Sequence, residues 1–590
     1  MTKNQLHALQ YNTRANFPNN YNLIPPEYIS MSITYMLALE AEPSTYDQLF
    51  TALTKGVNKE VQEQILDQIT PNMQILEVGC GPGTLAKNIA EKGGHIIAFD
   101  ANLQMVIHAI GSINPKIHKN IKFQLGSAVN LPEDLGQFDI IISTFMLSEL
   151  RPFEQQIFLR SAWDHLKPNG RLILADEFMP KGLAKIGFLM KRWWYLRKLK
   201  RKRSGLTHPL KWFPKYLTPI GFEIQKEIQW LHGSIRLIQA LKKEVDEAGY
   251  YRPPPHLFTG IKAKARIARC LFTGQIDHVA IEPGIYESGN PTSTSPVIVT
   301  ANYELTYIRV MNDLKGLDAW VLCVDSNGIN VWCAARGKNF GNREVVEAVR
   351  ATNILNLIDH RTLILPQLAA GGVSVPELPP DLKLKILYGP IWSKYLKSYL
   401  QEKPSHKPEE MRLAKFTPPK RLEAGVTHLT FLLRKLLFWP TLFSVIALLV
   451  LSNSGISVLQ LISGTLFSIL GWIWTATILT NLIIAMAFPI VDFTQVFMKK
   501  GVILSALSSI MGLFLSWLIF PSFLYSITNF VFLFWLGFFS TMSFSGYTMA
   551  SNPRQIKVEY AKFTKINQIL LILVPILYIW TIVWDVILWL

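Results

Sequence analysis

At 590 residues the chain has room for several domains, and its 49% apolar content gathers into long runs only toward the C-terminal end. A formal charge of +17 suits nucleic acid or an anionic membrane face, and the apolar tail favours the membrane and argues against nucleic acid. Cys80, Cys270, Cys323 and Cys333 form neither a CxxC pair nor a zinc spacing, which excludes a disulfide framework and suits a reducing cytoplasm, and the start lacks the apolar core of a signal peptide.

The first 25 residues are rich in Asn and Pro and are expected to be weakly ordered. The first strong signal is Gln74-Ile-Leu-Glu-Val-Gly-Cys-Gly-Pro-Gly-Thr84, an apolar strand running into a glycine-rich turn that opens a helix at Leu85. Gly79, Gly81 and Gly83 permit a tight turn and let a ligand lie against bare backbone. A second strand, His95 to Phe99, ends in Asp100, near the spacing at which a carboxylate takes ribose hydroxyls in such βαβ units. With Gly126-Ser-Ala-Val-Asn-Leu-Pro132, Phe138-Asp-Ile-Ile-Ile142 and Leu166-Lys-Pro-Asn-Gly-Arg-Leu-Ile-Leu174 following in order, residues 45–245 resemble class I S-adenosylmethionine-dependent methyltransferases. That resemblance implies a Rossmann-like fold in which Glu77 and the glycine loop hold the methionine part. It implies that Asp100 takes the ribose and that Ser127 and Ala128 flank the adenine. Ser127 stands where the family often carries an acid. Methyl transfer to a strong nucleophile needs in-line positioning more than a general base, and Glu149 reads as a surface or structural carboxylate rather than an acceptor-facing one.

Between Lys191 and Arg203 eight basic residues are interleaved with Trp193, Trp194 and Tyr195. Such a run suits either a solvated basic helix or one lying in a lipid headgroup layer, and the anchored tail favours the second. Strands near Phe222–Gln225 and Ile235–Gln239 are expected to close the first sheet, and Tyr250-Tyr-Arg-Pro-Pro-Pro-His256 marks a domain boundary.

Beyond it, a strand at Pro296–Thr300, a helix at Leu305–Leu314, a strand at Ala319–Asp325, a helix at Arg343–Arg350 and a strand at Thr362–Pro366 predict a small parallel α/β domain. Its strand-end loops, around Thr300–Tyr303 and Asn327–Lys338, face one ligand. Asn330 is a good N-cap, starting a short helix at Val331 with Cys333 in its first turn. A helix start favours thiolate, the form that ligates metals and acts as nucleophile. From placement alone, Cys333 is either a poised thiolate or a small buried residue.

Asn330-Val-Trp-Cys-Ala-Ala335, with Val299-Thr-Ala-Asn-Tyr303 and Leu363-Ile-Leu-Pro-Gln-Leu368, resembles the mercury-methylating corrinoid protein family (HgcA-like) over residues 265–400. The resemblance implies a second Rossmann-like domain binding a cobalamin-type corrinoid, with the Cys333 thiolate as the lower ligand of cobalt. Thr300, Asn330, Val331, Trp332 and Ala334 then lie at the ring, with Trp332 either beside it or in the core. The family's Gly-Lys follows directly on Trp-Cys-Ala-Ala, whereas here Arg336 precedes Gly337 and Lys338.

After a basic linker, apolar stretches near 436–453, 456–478, 501–520, 523–546 and 567–589 are each about the 20 residues a membrane helix needs. The piece from Asn481 to Phe497 is amphipathic and lies along the interface or adds a sixth crossing. With five crossings, Arg434-Lys435, Lys499-Lys500 and the basic residues between Arg554 and Lys565 share one side with the soluble domains, which places those in the cytoplasm under an inner-membrane anchor. Asp585 reads as an interfacial residue near the outer end of the last helix.

The expected organisation is therefore a methyltransferase domain (1–245), a linker (246–264), a corrinoid-binding domain (265–402), a basic linker (403–430) and an α-helical transmembrane bundle of about five helices (431–590). The reading is of S-adenosylmethionine and a corrinoid serving one methyl relay toward Hg(II) or another small soft acceptor. Since the chain has no iron–sulfur cysteine set, a ferredoxin-like iron–sulfur reductant is implied as partner, with membrane lipid around the tail. Two alternatives stand beside it: a methyltransferase of a membrane lipid or quinone with an accessory corrinoid module, and a non-catalytic corrinoid-binding sensor.

Overall fold

The computed structural model describes residues 43–190, 209–255, 279–336 and 339–402, the tail from 438 with gaps, and scattered positions within 261–268 and 407–429. The N-terminal 42 residues, Cys270, the basic run from Lys191, Gly337, Lys338, Arg434, Lys435, the stretch 549–565 and Asp585 lie outside the described residues, as do the side chains of Trp332, Cys333 and Arg336. The chain divides into two compact units, one of residues 1–256 with 280–403, the other of 257–279 with 404–590.

The first unit contains two sheets. The first is built from β1 (Gln74–Val78), β2 (His95–Asp100), β3 (Ile121–Leu125), β4 (Phe138–Thr144), β5 (Leu166–Glu177), β6 (Phe222–Trp230) and β7 (Ile235–Lys242), in the order β3-β2-β1-β4-β5-β7-β6. The strands from β3 to β5 are parallel, and β7 runs antiparallel to both β5 and β6. Helices cover both faces, which is why β1 and β4 read as near-continuous apolar runs. Leu76 and Val78 point to the side packed by Phe158, Leu159 and Trp163 of α5 (Pro152–His165) and by Tyr216 and Leu217 of α6 (Pro214–Ile220). Ile75 points to the other side, where α2 (Val57–Leu66), α3 (Thr84–Glu91) and α4 (Leu103–Gly111) lie. In α3 the buried Leu85, Ala86, Ile89 and Ala90 form one stripe at helical spacing. This sheet order is that of the Rossmann-like methyltransferase fold, closed as expected by the two strands at its far edge.

The second sheet has the order β12-β11-β9-β10-β8, from β8 (Gly284–Ser288), β9 (Val297–Ala301), β10 (Ala319–Val324), β11 (Thr362–Leu365) and β12 (Lys385–Tyr388). β9 to β12 are parallel neighbours, but β8 pairs antiparallel with β10, so the expectation of a purely parallel domain is corrected to a mixed sheet with one reversed edge. All of Val297–Ala301 and Ala319–Val324 are buried, the pattern of central strands covered on both faces.

In the second unit α11 (Phe438–Ser452), α12 (Ser457–Ala487), α13 (Phe497–Ile519) and α14 (Phe523–Thr548) are the long helices. α13 and α14 approach closely through small residues. A Cβ on Gly537 would stand 2.4 Å from Ser508 Oγ, and one on Gly512 would stand 2.7 Å from a Leu533 methyl. The outer side of α13 exposes Ile510, Phe514, Trp517 and Leu518. Among the described residues two helices, Leu466–Val491 and Met498–Leu518, are long and apolar enough to cross a membrane, and 441–450, 525–541 and 566–581 are shorter apolar helices. The segment from Asn481 is not separate from the helix before it. It continues α12 to Ala487 and ends in a 3-10 turn at Phe488–Val491. Asn481 is buried there, with Nδ2 donating to the Thr477 carbonyl at 2.9 Å, so its polarity is satisfied without an interface. Lys499 and Lys500 belong to the first turn of α13 rather than to a loop, with Lys500 buried 5.5 Å from the centre of the Phe488 ring.

Candidate functional site: a glycine cradle and a capped cysteine helix

The first candidate site forms where β1 meets α3. Gly79, Gly81 and Gly83 all have φ in the left-handed range, at 82°, 53° and 75°. Two of them also have no room for a side chain: a Cβ on Gly79 would stand 2.7 Å from Met146, and one on Gly83 would stand 2.5 Å from the Phe123 ring. The N–H groups of Gly79 and Cys80 both donate to the Phe99 carbonyl, at 2.8 and 2.9 Å, which ties the loop to the end of β2. Asp100 completes the tie, accepting from the Gly81 N–H through Oδ2 and the Asn102 N–H through Oδ1, each at 2.8 Å. The Gly126 N–H in turn donates to the Asp100 carbonyl at 3.0 Å. Glu77, the glycine loop, Asp100 and the 126–128 turn are thus gathered at one strand-end edge. Within that turn Ala128 is buried against the core and Ser127 is exposed.

Glu77 is the informative residue. Its side chain is 1% exposed, its Oε2 has no hydrogen-bond partner, and burial, with the Asp100 charge second, holds its carboxyl well above the usual range. A buried carboxylate oxygen left unpaired is costly unless a cation reaches it. The donor chemistry therefore fits the α-ammonium of S-adenosylmethionine. Cys80 is buried, and burial raises its thiol pKa, so it is no nucleophile.

Helix α1 (Pro43–Thr54) is part of this site and was not visible in the sequence. Tyr46 is the nearest group to the Cβ position of Gly81, at 3.9 Å, the Thr84 hydroxyl donates to Asp47, and Phe50 meets Phe145 edge to face. Phe145 has φ 55°, an unusual value for a bulky residue, and its N–H is held by the Ala175 carbonyl at 2.7 Å. Glu149, half-buried, closes the 3-10 turn Leu147–Glu149 that follows.

That turn is braced by a residue the sequence did not single out. Asp176 accepts from the Ser148 N–H at 3.0 Å and the Glu177 N–H at 2.6 Å, and burial raises its pKa to about 7. Its folded pKa exceeds the unfolded one, so its contribution to stability is present at acid pH and is lost as pH rises through about 7. The unfolding temperature of this domain is expected to fall between about pH 4 and pH 7 and to level off above it. Asp176→Asn should flatten that slope, a comparison made by scanning fluorimetry across the range.

The second candidate site lies at the ends of β9 and β10. α8 (Val331–Arg336) begins as the sequence predicts, with the Asn330 carbonyl accepting from the Ala334 N–H at 2.9 Å and Cys333 in the first turn. Val331 and Ala334 are buried, as is Thr300 at the end of β9. The loop into α8 is organised by Asn302, fully buried. Its Oδ1 accepts from the Ser326 N–H at 2.9 Å, the Ser326 hydroxyl at 3.0 Å and the Gly328 N–H at 3.1 Å. Its Nδ2 donates to the Ile281 carbonyl and to Asp325 Oδ1, both at 3.1 Å. Gly328 has φ 68°, and a Cβ there would stand 2.7 Å from the Ala280 N–H nitrogen, so only glycine fits the turn. At the other end of α8, the Asn339 N–H donates to the Ala334 carbonyl at 2.8 Å and Phe340 is fully buried. Gly372 lets the Gln367–Gly371 turn press against this end: a Cβ on it would stand 3.1 Å from Ala335. The six-residue helix is thus held at both ends by backbone contacts.

A corrinoid would need from the protein one soft donor and close backbone approach; Cys333 would supply the first, and the loop held by Asn302 and Gly328 offers the second. Asn302 lies within the Val299–Tyr303 motif, where nothing in its residue type or spacing separates it from its neighbours. Asn302→Ala leaves several buried groups unpaired and is expected to cost about 3 kcal/mol of domain stability, read as a lower urea midpoint, with weakened cobalamin binding.

Two family models match regions of the chain. Residues 75–170 match the family model described as a methyltransferase domain, and residues 262–374 match that of the CO dehydrogenase/acetyl-CoA synthase delta subunit. The chain is 36% identical over 104 residues to the gamma subunit of the acetyl-CoA decarbonylase/synthase complex of Methanopyrus kandleri, covering 17% of this chain and 22% of that one. The gamma subunit of Methanothermobacter thermautotrophicus is 33% identical over 134 residues, covering 22% of this chain and 29% of that one. The match thus spans less than a third of either relative. A solved S-adenosylmethionine-dependent methyltransferase of Methanosarcina mazei is 22% identical, covering 30% of this chain and 96% of that one at a TM-score of 0.25. The chain therefore carries one region similar to methyltransferase domains and, after it, one similar to the CO dehydrogenase/acetyl-CoA synthase delta subunit.

Proposed function

We propose that the chain is a membrane-anchored methyl relay, in which the first domain takes a methyl group from S-adenosylmethionine and the second carries it to an electrophilic acceptor. The observation that carries this reading is that the methyltransferase sheet and the corrinoid-family sheet fold as one compact unit. A tethered pair works at an effective concentration of about millimolar, far above that of separate proteins.

Each side chain has a definite task. Glu77 takes the ammonium of S-adenosylmethionine, Gly79, Gly81 and Gly83 let its methionine part lie on the backbone, and Asp100 accepts from the ribose hydroxyls. Ser127 and Ala128 border the adenine. The sulfonium keeps the electron pair of the broken C–S bond, so S-adenosylhomocysteine leaves without a proton transfer, and a positioned nucleophile suffices. Thr300 and Asn330 to Ala334 form the lower bed of the corrinoid, and Cys333 holds its metal. The corrinoid, when bound, supplies a cobalt nucleophile that accepts a methyl group and gives it up again. The Cys333 thiolate would hold the metal as a soft, electron-rich donor, which would favour delivery to a soft electrophile such as Hg(II). Recovery of the reduced metal requires electrons from a low-potential donor of the ferredoxin-like iron–sulfur class. The tail anchors both domains at the inner membrane, facing the cytoplasm.

One observation favours a second reading, methylation of a membrane lipid or quinone. In the first domain the helix across 182–190 exposes Leu183, Ile186 and Met190, with Leu183 86% exposed, just before the basic run. An apolar face followed by cationic residues suits a lipid surface. The two readings separate in one experiment. The full chain in detergent is given methyl-labelled S-adenosylmethionine, cob(I)alamin and membrane lipid. Label in the cobalamin fraction supports the relay, and label in lipid alone supports the second reading.

A further inference from the structure

The two sheets of the first unit meet across the starts of two helices. α5 begins at Pro152, and α9 (Asn342–Thr352) begins just after the Cys333 helix and its exit. Both starts are closed in the same way. Glu154 Oε2 accepts from the Arg151 N–H, and Glu344 Oε2 accepts from the Gly341 N–H, each at 2.8 Å. Each of these glutamates turns its other oxygen toward the opposite domain. Arg151 donates to Glu344 Oε1 at 2.7 Å and to Glu347 Oε1 at 2.8 Å. Arg343 donates to Glu154 Oε1 and, within its own helix, to Glu347 Oε1 at 2.7 Å. Every carboxylate of the cluster is therefore bonded to a guanidinium from the other domain. Glu154 and Glu344 are 8% exposed and Arg151 is 28% exposed, so the Arg151–Glu344 pair is largely withdrawn from water, while Arg343, 66% exposed, closes the cluster from the solvent side. Three carboxylates face two guanidiniums, and burial pushes the Glu347 carboxyl up from its ordinary range.

A second junction between the same domains is built differently. The segment leading out of the methyltransferase domain is wedged between them. The Gly249 N–H donates to the Ile220 carbonyl at 3.0 Å, and a Cβ on Gly249 would stand 2.1 Å from the Pro219 carbonyl oxygen. Tyr251 packs on Tyr216 with ring centres 4.8 Å apart. On the other side, Pro253 occupies the space where a Cβ on Gly284 would go, 2.6 Å away. This junction is close-packed around Tyr216, Tyr251 and Pro253, with the Lys215–Glu282 pair at 3.4 Å beside it, and separating it would expose that packed surface to water. The charged cluster has no such penalty, because its groups exchange one another for water at nearly balanced cost. Loss of one partner alone is another matter, since it strands a buried charge.

We propose that Arg151 is a positioning residue, the centre of an interdomain latch with Glu154, Arg343, Glu344 and Glu347. The latch fixes the Cys333-bearing domain against the methyltransferase domain and opens, about the packed 249–253 junction, without unfolding either. A carrier that takes a group from one donor and gives it to a different acceptor must turn the same face to both. A polar clasp beside a close-packed pivot permits that, whereas a fully apolar interface does not. The consequence for methyl hand-over rests on the relay reading, but the docking itself does not.

The test uses the full chain in detergent, with hydrogen exchange followed at the starts of α5 and α9. Arg151→Glu puts four carboxylates against one guanidinium, while the backbone N–H that closes α5 is untouched. Exchange at both starts is expected to rise at least about tenfold, with the glycine loop at 79–83, the affinity for S-adenosylmethionine and the spectrum of added cobalamin unchanged. Arg151→Glu combined with Glu347→Arg restores the charge count and should restore protection. Unchanged exchange in Arg151→Glu overturns the latch, as does a rise spread through the whole methyltransferase domain that the double variant does not reverse. Transfer of labelled methyl from S-adenosylmethionine to cob(I)alamin is measured alongside. A lower turnover number at unchanged half-saturation supports the positioning role, and full turnover with both starts open overturns it. If the unsubstituted chain transfers no methyl, the relay reading fails while the exchange result still decides the latch.

Discussion

Cys333→Ala is expected to leave the chain folded and its affinity for S-adenosylmethionine unchanged, while abolishing the thiolate-dependent change in the visible spectrum of bound cobalamin. Methyl passage should fall by at least about a hundredfold, because loss of a group that only supports a metal ligand already costs ten- to a hundredfold. The physical ground is the frame around α8. Asn302 through its side-chain amide, and Gly328 and Gly372 through close backbone approach, fix the helix, so removing one sulfur leaves the frame in place. Cys333→Ser replaces a soft donor by a hard one and should resemble the alanine variant in its spectrum. Cys323, fully buried on β10 with its thiol pKa raised by burial, is the control. Cys323→Ala should leave the spectrum unaltered. A spectrum that does not depend on Cys333 removes the axial thiolate.

Glu77→Gln should produce opposite effects on binding and on stability. The buried carboxylate has an oxygen without a partner, and its charge is opposed by burial and by Asp100. A neutral side chain of the same shape relieves that cost, so the unfolding temperature without ligand should stay level or rise. Affinity for S-adenosylmethionine should drop about 10- to 100-fold, the value of a hydrogen bond to a charged group. Calorimetric titration and a thermal scan on the same preparation measure both. A variant that binds as tightly as the unsubstituted chain would leave Glu77 a purely structural acid.

The first sheet was legible because its strands are apolar runs and its turns carry glycines that no other residue can replace, as Gly79 and Gly83 demonstrate. α1 was not legible as part of the site, since nothing in Tyr46, Asp47 or Phe50 signals that they return to cover a loop some thirty-five residues later. β8 was missed for a related reason. It is five residues opened by a glycine, and its partner β10 lies beyond β9, so only the tertiary pairing makes it a strand. The start of α8 at Val331 could be read from Asn330 alone, but the residue that fixes the preceding loop could not, because Asn302 acts across 24 and 26 positions of chain. The interdomain pairs are the extreme case. Arg151 and Glu344 are separated by 193 positions, and each looks by itself like an ordinary charged residue near a helix start. In the tail, apolar length was read correctly as helix. The break near Asn481 was not, since an asparagine that bonds its own helix need not end it.

The most direct test of the relay is a single turnover with the cobalamin-loaded full chain and one equivalent of methyl-labelled S-adenosylmethionine, repeated over a range of protein dilutions. Label is expected to reach the cobalamin at a rate independent of dilution, and a mixture of Glu77→Gln and Cys333→Ala chains is expected not to reproduce that rate. Label that never enters cobalamin, or that enters at a rate proportional to protein concentration, would contradict a methyl hand-over between two sites of one chain.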